Sequence, residues 1–454
     1  MTAVKNKKHD VDMTEGSIIK HIIAFAIPLL LGNLFQQFYN TVDTWVVGNF
    51  VSNEAFSAVG TTAPICNMLI GFFTGLANGA GVVISQYYGA RKFDRVEDAV
   101  HTTLVMTLIL GALFTALGIF ITPTMLTLMK VPPEVFPEAQ SYLVIYFAGI
   151  FGLMVYNVGA AILRAVGDSR RPFIFLVVSA LVNIVLDLLF VLVFKMGVEG
   201  VAYATIIAQG ISAILVIVTL LKSDSCVRFI PSKLKMHFDM LKKIIFVGLP
   251  AALQMAVTSF SNVFVQSYVN YFGADCMSGW TAFQKVDQLL FLPMQSIALS
   301  ATTFVGQNLG MGKEDRAKKG IKYSIGLSML ATIIILSPIL AFSPQITAFF
   351  NSKPEVIEYG SLFLRIIAPF HLFGCANQVI AGALRGAGKS RVPMVIMIVS
   401  FVLFRQAYLF VMANFISNTF VPIALGYPAG WIVCSIISII YYKTTSLTSE
   451  KLVD

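Results

Sequence analysis

Polarity in this chain varies on a long scale. Apolar stretches of about 20 residues, each long enough to cross a hydrocarbon core as a helix, recur from Ile18 to the region of Tyr442. They are parted by short breaks rich in Gly, Pro, Asp, Ser and basic residues. The pattern predicts twelve helices, at 18–47, 54–83, 97–121, 136–162, 172–194, 198–221, 240–268, 278–305, 317–342, 355–383, 393–413 and 420–442. Residues 1–17 are polar, and the run beginning at Ile18 is too long for the core of a signal peptide, so no signal peptide is expected. The one long break, 222–239, carries Pro231. It is expected to be an amphipathic interfacial segment rather than a separate domain.

The twelve runs are six runs present twice. Gln86-Tyr-Tyr-Gly89-Ala-Arg-Lys92-Phe-Asp94-Arg95 returns 221 positions later as Gln307-Asn-Leu-Gly310-Met-Gly-Lys313-Glu-Asp315-Arg316, identical at five of ten positions. Leu163-Arg164-Ala-Val-Gly167-Asp-Ser169-Arg170-Arg-Pro172 returns at the same spacing as Leu384-Arg385-Gly-Ala-Gly388-Lys-Ser390-Arg391-Val-Pro393, identical at six of ten. Pro133-Glu134-Val135 matches Pro354-Glu355-Val356. Duplication within an apolar chain points to a transporter of two lobes around a central path. An even number of spans per repeat gives both copies the same orientation, related by an axis along the membrane normal. The predicted fold class is an all-α polytopic membrane protein, with twelve transmembrane helices in two homologous six-helix bundles. Its organisation is a tail over 1–17, a first lobe over 18–221, a linker over 222–239, a second lobe over 240–442 and a tail over 443–454.

Composition agrees with this pattern. Hydrophobic residues make up 57% and charged residues 12%, about half the charge of a soluble domain. The net charge of +9 would suit a nucleic-acid partner, but its placement argues for topology instead. Of 32 Lys and Arg, 26 fall in the N-terminus, the even-numbered loops and the C-terminus, and only Lys130, Lys195 and Lys353 fall in the odd-numbered loops. That bias predicts a multi-pass protein of the cell membrane with both termini cytoplasmic, a lipid-bilayer environment and no nucleic-acid partner. The five cysteines are scattered with no C-x-x-C pair, so neither a disulfide framework nor a zinc site is expected.

The duplicated motifs read first as helix punctuation. Gly89 and Gly310 would stop one helix, Asp94 and Asp315 would cap the next, and Ser169 or Ser390 with Pro172 or Pro393 would start another. A cytoplasmic gate is the functional alternative for these loops. Gly388-Lys389-Ser390 resembles the tail of a phosphate-binding loop, but Ala383 stands where that motif needs glycine, and nucleotide binding is rejected. Gly71, Gly75 and Gly79 give the second span a face of small residues suited to close helix packing.

Beyond the first four residues of each span, three acids fall within spans: Asp43, Asp187 and Asp287. An intramembrane carboxylate costs about 2.5–3.5 kcal/mol or more, so each is a functional candidate by default. In the second repeat Val265 stands opposite Asp43, Phe404 opposite Asn183 and Tyr408 opposite Asp187. Asn183 and Asp187 are four apart on one helix face, and Thr205 lies at similar depth on the next span. Asp43 is expected within about a turn of the outer end of its helix. Two carboxylates, an amide and a hydroxyl suit Na⁺ or a shared proton; a hydrogen-bond network merely tying three spans together is the alternative. Asp287 is expected to pair with Lys285. Arg365, His371 and Arg405 are basic groups inside the second lobe, free to balance buried charge or meet an anionic substrate. No nucleophile–base arrangement or metal-spaced cluster appears, so no enzyme is expected.

Taken together, the six-plus-six duplication, the paired motifs, Asp43-Thr-Trp-Val-Val-Gly48 and Gly197-Val-Glu-Gly200-Val-Ala-Tyr-Ala-Thr205 resemble the multidrug and toxic compound extrusion (MATE) family over about residues 15–445. The resemblance implies two bundles about a V-shaped cavity and export of organic cations in exchange for H⁺ or Na⁺, with no cofactor beyond the coupling ion. It implies coupling-ion binding at Asp43, Asn183, Asp187 and Thr205, a helix bend at Pro28, and cavity-lining roles for Gln36 and Tyr39. Spans seven and ten lack the acids of the family's other main branch. A lipid-linked oligosaccharide flippase of the same architecture is the rival within transport, and a passive channel or membrane receptor the rival outside it. A working monomer follows from the two-lobe plan.

Overall fold

The computed structural model describes residues 10–450, 452 and 453. Twelve of its helices are long and apolar enough to cross a membrane. The first repeat consists of α1 (Ile18–Phe50), α2 (Asn53–Gly89), α3 (Phe93–Leu128), α4 (Phe136–Ala165), α5 (Arg170–Leu188) and α6 (Gly197–Leu221). The second begins with α7 (Phe238–Asn270), α8 (Ala274–Gly310), α9 (Glu314–Ala341) and the short α10 (Ser343–Phe350). Its tenth span is α11 (Pro354–Ile367) and α12 (His371–Gly386), joined by a 3₁₀ turn over Ala368–Phe370. Pro369 sits in that turn and has no N–H to continue the ladder. The eleventh span joins α13 (Arg391–Met397) to α14 (Arg405–Val411) through a π-helical stretch, Ile398–Phe404, and the twelfth is α15 (Phe420–Ala424) followed by α16 (Gly426–Thr444).

Several helices outrun their apolar stretches: α2 continues to Gly89 and α3 begins at Phe93. Hydropathy marks where the membrane ends, whereas backbone hydrogen bonding carries a helix on into water until a residue breaks it. The breaks differ in detail from those expected. Helix α2 ends at Gly89, but the left-handed turn residue is Arg91 (φ 57°), and in the second copy Gly312 (φ 78°). Lys92 and Lys313, not the aspartates, hold the cap positions of α3 and α9, while Asp94 and Asp315 sit in the first turns. At α5 Ser169 makes no capping bond; Asp168 Oδ1 instead accepts from the amides of Arg170 and Arg171, each at 3.1 Å.

The chain forms two compact units whose limits run through α1 and α7 rather than through the linker. One unit holds residues 10–12 and Ile27–Gly248, the other Met13–Ala26 and Leu249–Asp454. In the first unit α4 packs against α2, α3 and α6. Leu143, Tyr146, Phe147 and Ile150 of α4 form a core with Ile65, Leu69 and Phe73 of α2. Lipid supplies no hydrophobic drive between helices, so contact rests on close fit. A Cβ on Gly159 would lie 1.8 Å from Val216 Cγ1, and one on Gly79 would lie 2.3 Å from Gly248 Cα. The small-residue face of α2 thus admits the start of α7. In the second unit α8 packs against α9, α11 and α12, and α12 against α16, around Trp280, Phe283, Phe363, Tyr427 and Trp431.

The linker is irregular apart from a 3₁₀ turn at Pro231–Lys233, and its backbone is pinned to α3. The Ile230 amide donates to His101 Nε2 at 3.1 Å and the His237 amide to Thr102 Oγ1 at 3.0 Å. Burial pushes the linker thiol of Cys226 up to about 12. The second copy of the Gln-x-x-Gly motif does more than punctuate. Gln307 Oε1 accepts from the Met13 amide at 2.9 Å, Lys313 Nζ donates to the Thr14 carbonyl at 3.0 Å, and Arg316 Nη2 donates to the carbonyls of Met13 and Glu15 at 3.1 and 2.8 Å.

Candidate functional site

The four polar residues singled out in the first repeat all lie in the first unit. Asp187 and Asn183 are on the buried face of α5, 0% and 1% exposed. Thr205 is on α6, eight residues past its start, and Asp43 is on α1, seven residues before its end. Because α1 runs to Phe50 rather than 47, Asp43 lies about 10 Å from the C-terminal end of α1, two turns deep rather than one. That matches Asp187, which stands six residues before the end of the π turn Leu189–Val193 that continues α5. Single π turns inside helices recur at functional sites, where they re-aim neighbouring side chains.

The carboxyls of Asp43 and Asp187 are neighbours. Asp43 Oδ1, both Asp187 oxygens and both amide atoms of Asn183 are buried and make no hydrogen bond. Thr205 is differently placed: its hydroxyl donates to the Val201 carbonyl of its own helix at 2.9 Å, which leaves its oxygen lone pairs available as ligands. Toward the C-terminal ends of α1 and α5, Val46, Val47, Ala55, Val191, Val198 and Val201 form an apolar cluster, with Val42 and Leu188 packed on it. Ser179 Oγ donates to the Ala208 carbonyl at 2.7 Å and ties α5 to α6 below the acids.

Other side chains complete the cluster. Tyr39 lies within electrostatic reach of both acids and beside Gln36, and both residues are half-buried. Tyr142 of α4 faces Asp43, Asp187 and Tyr39, and it stacks on Tyr146 with ring centroids 6.3 Å apart. The Tyr146 hydroxyl lies near the Gln209 side chain, and that hydroxyl and Gln209 Oε1 are both buried without a hydrogen-bond partner. The sequence held one signal for these tyrosines: Tyr142 and Tyr146 are four apart, so their polar tips share a helix face. Pro28 is buried inside α1, which runs through it as one continuous helix. A pocket of about 420 Å³ on the same unit, lined by Glu97, Asp98, His101 and the linker, involves none of these residues.

In the second unit the expected Lys285–Asp287 pair does not form. Lys285 is exposed, and Asp287 Oδ1 lies 2.9 Å from His371 Nε2 instead. Residues 285 and 287 are two apart on a helix and point to different faces, whereas α12 packs directly on α8. Arg405, 2% exposed, donates to Ser261 Oγ at 2.6 Å and Asn262 Oδ1 at 2.9 Å. Arg365 donates to Ser343 Oγ at 2.9 Å. Lys389, of the loop resembling a phosphate-binding tail, donates to the Ser446 carbonyl.

The duplication and helix count have counterparts among known proteins. A family model described as MatE matches twice, over residues 28–189 and 250–411. A probable multidrug resistance protein of Bacillus subtilis, YpnP, is 30% identical over 97% of this chain and 98% of its own length. Probable multidrug resistance protein NorM of Thermotoga maritima is 28% identical, covering 96% of this chain and 95% of its own. A MATE-family multidrug resistance transporter of the MOP superfamily, solved in an outward-facing conformation, superposes with a TM-score of 0.91 at 23% identity, covering 97% of this chain and 98% of its own, which shows a common fold. The two family matches begin 222 residues apart, in step with the chain's own repeat, and the chain belongs to the MatE family of multidrug efflux transporters.

Proposed function

We propose that the chain is a secondary antiporter that exports organic cations in exchange for H⁺ or Na⁺, and that Asp43, Asn183, Asp187 and Thr205 bind the coupling ion. The observation that carries this reading is the pair of neighbouring carboxyls whose inner oxygens have no hydrogen-bond partner. Two carboxylates side by side in a low-dielectric interior repel, unless a proton or a monovalent cation lies between them. Asn183, with an unpaired amide, supplies a further oxygen ligand. The bare pair carries two charges that an organic cation offsets; the ion-loaded pair does not. Drug and ion therefore weaken each other's binding, and the coupling is reciprocal. Pro28, which leaves α1 one backbone hydrogen bond short, is the point at which that helix bends as the acids are neutralised. Gln36 and Tyr39 lie two turns and one turn from Asp43, respectively, on the substrate side. The charge bias of the loops supports cytoplasmic termini in the cell membrane, and a single chain is the working unit.

The flippase reading asks for free cationic groups. Arg405 and Arg365 are committed to Ser261, Asn262 and Ser343, which supports the cation exporter. The test is uptake of a fluorescent lipophilic cation into proteoliposomes, with pH and Na⁺ gradients imposed separately. Uphill uptake driven by one gradient and lost in Asp43→Asn is the expected result. Wild-type uptake in Asp43→Asn removes the acid pair from the mechanism.

A further inference from the structure

The second unit contains a buried ionisable pair that the proposed coupling site does not use. The His371 side chain is 0% exposed, and its Nε2 lies 2.9 Å from Asp287 Oδ1. The approach is close but not aligned as a hydrogen bond: both ring nitrogens and Asp287 Oδ1 are buried with no hydrogen-bond partner. Aromatic rings enclose the imidazole. Trp431 stands edge-on to it at 4.6 Å and Phe291 at 5.3 Å. Phe291 follows Asp287 by one turn of α8, so acid and ring come from one helix face.

Few other charges reach this pair. Tyr427 of α16 is within electrostatic reach of Asp287, and the Arg405 guanidinium lies 4.9 Å from the Tyr427 ring centroid. Arg405 itself is bonded to Ser261 and Asn262 of α7. Lys285 of α8 is exposed, and Arg365, on the tenth span with His371, is bonded to Ser343. With neutral imidazole the pair carries one negative charge in an aromatic pocket; with one proton added it becomes an internal ion pair. Asp287 keeps an opening to its surroundings, its side chain being 18% exposed. Histidine is the side chain whose charge ordinarily changes near neutrality.

We propose that Asp287 and His371 form a proton-binding site within the second lobe, where a single shared proton sets whether Asp287 shows its charge to that opening. The balance is simple: a proton from solvent joins His371, no bond breaks, and the carboxylate becomes its counter-ion. With the proton gone, the carboxylate is the group that meets a cationic solute. This site stands apart from the first-lobe acids, and its test does not depend on them.

Trp431 provides the reporter, since a protonated imidazole against an indole edge quenches its emission more than a neutral one. Purified full-length protein in detergent is titrated between about pH 5 and 8 with tryptophan emission recorded. Wild type and Asp43→Asn are expected to lose emission on acidification along the same curve. Trp431→Phe and His371→Gln abolish that transition, and Asp287→Asn displaces its midpoint because the imidazolium loses its counter-charge. A wild-type curve that is flat, or one that His371→Gln leaves unchanged, overturns the proposal. If His371→Gln does not fold, Asp287→Asn decides: an unchanged midpoint makes the pair a static packing feature and overturns the site.

Discussion

The two lobes share a plan and exchange their chemistry. At the four positions where the first repeat has Asp43, Asn183, Asp187 and Thr205, the second has Val265, Phe404, Tyr408 and Gly426. Val265 belongs to the second lobe's hydrophobic core, the Tyr408 hydroxyl donates to the Pro422 carbonyl at 3.1 Å, and a Cβ on Gly426 would lie 2.6 Å from Leu409 Cδ2. The reverse holds where the second repeat has Asp287 and His371. The first has Cys66 and Ile150 there, both in its main core cluster. Each lobe therefore packs apolar side chains where its partner buries polar ones. The duplicated parts that stayed alike are the helix ends and loops, which build the scaffold. The parts that diverged lie at membrane depth, where a polar group is expensive enough to need a purpose.

Exchanging residues between repeats tests this division most severely. Asp187→Tyr should bring gradient-driven uptake to background with the protein still inserted and folded. Tyr408→Asp places an acid in the second lobe with no partner designed for it and should cost about 2.5–3.5 kcal/mol, read as a lower unfolding temperature in detergent. Retained uptake in the first variant, or unaltered stability in the second, breaks the comparison.

A smaller contrast separates the two copies of the Gln-x-x-Gly motif. Arg316 donates to backbone carbonyls of Met13 and Glu15, whereas Arg95 pairs with the carboxylates of half-buried Asp98 and exposed Asp239 at 3.3 and 3.1 Å. Arg316→Ala should cost about 1.5–3 kcal/mol through lost charge-assisted hydrogen bonds, with faster proteolysis at residues 13–16. Arg95→Ala should cost about 0–1 kcal/mol. Equal losses would mean that the two motif copies bear equal loads.

The mildest changes concern scaffold alone. Gly159→Ala meets Val216 Cγ1 at 1.8 Å and should cost about 1–3 kcal/mol of stability by overpacking, without altering which ion drives uptake. Gly210→Ala, with nothing within 4 Å of the added methyl, should change stability by about 0.5 kcal/mol or less. An altered ion dependence in Gly159→Ala would show that packing and chemistry are not separable here.

Some of this was determined by the sequence alone. Hydrophobic run length is a local quantity, and it found all twelve spans, with ends that miss by up to seven residues where a helix outruns its apolar stretch. The repeat is a matter of spacing, and it recurs in the two family matches 222 residues apart. The isolated acids Asp43 and Asp187 were visible because a carboxylate in an apolar run has no local reason to be there. Tertiary structure decided what each polar group meets. Asp287 was read with Lys285, two residues away, but partners His371, 84 positions on. Tyr142 looks like an ordinary span residue until α4 brings it within electrostatic reach of the acids, and Tyr146 meets Gln209 only through the packing of α4 on α6. The π-helical stretches after Asp187 and before Arg405 left no signature in the hydrophobic pattern, one at the end of its span and the other in the middle. Membrane spans follow from transfer free energy, which sums along the chain; partners follow from helix contacts, which join residues that the chain keeps far apart.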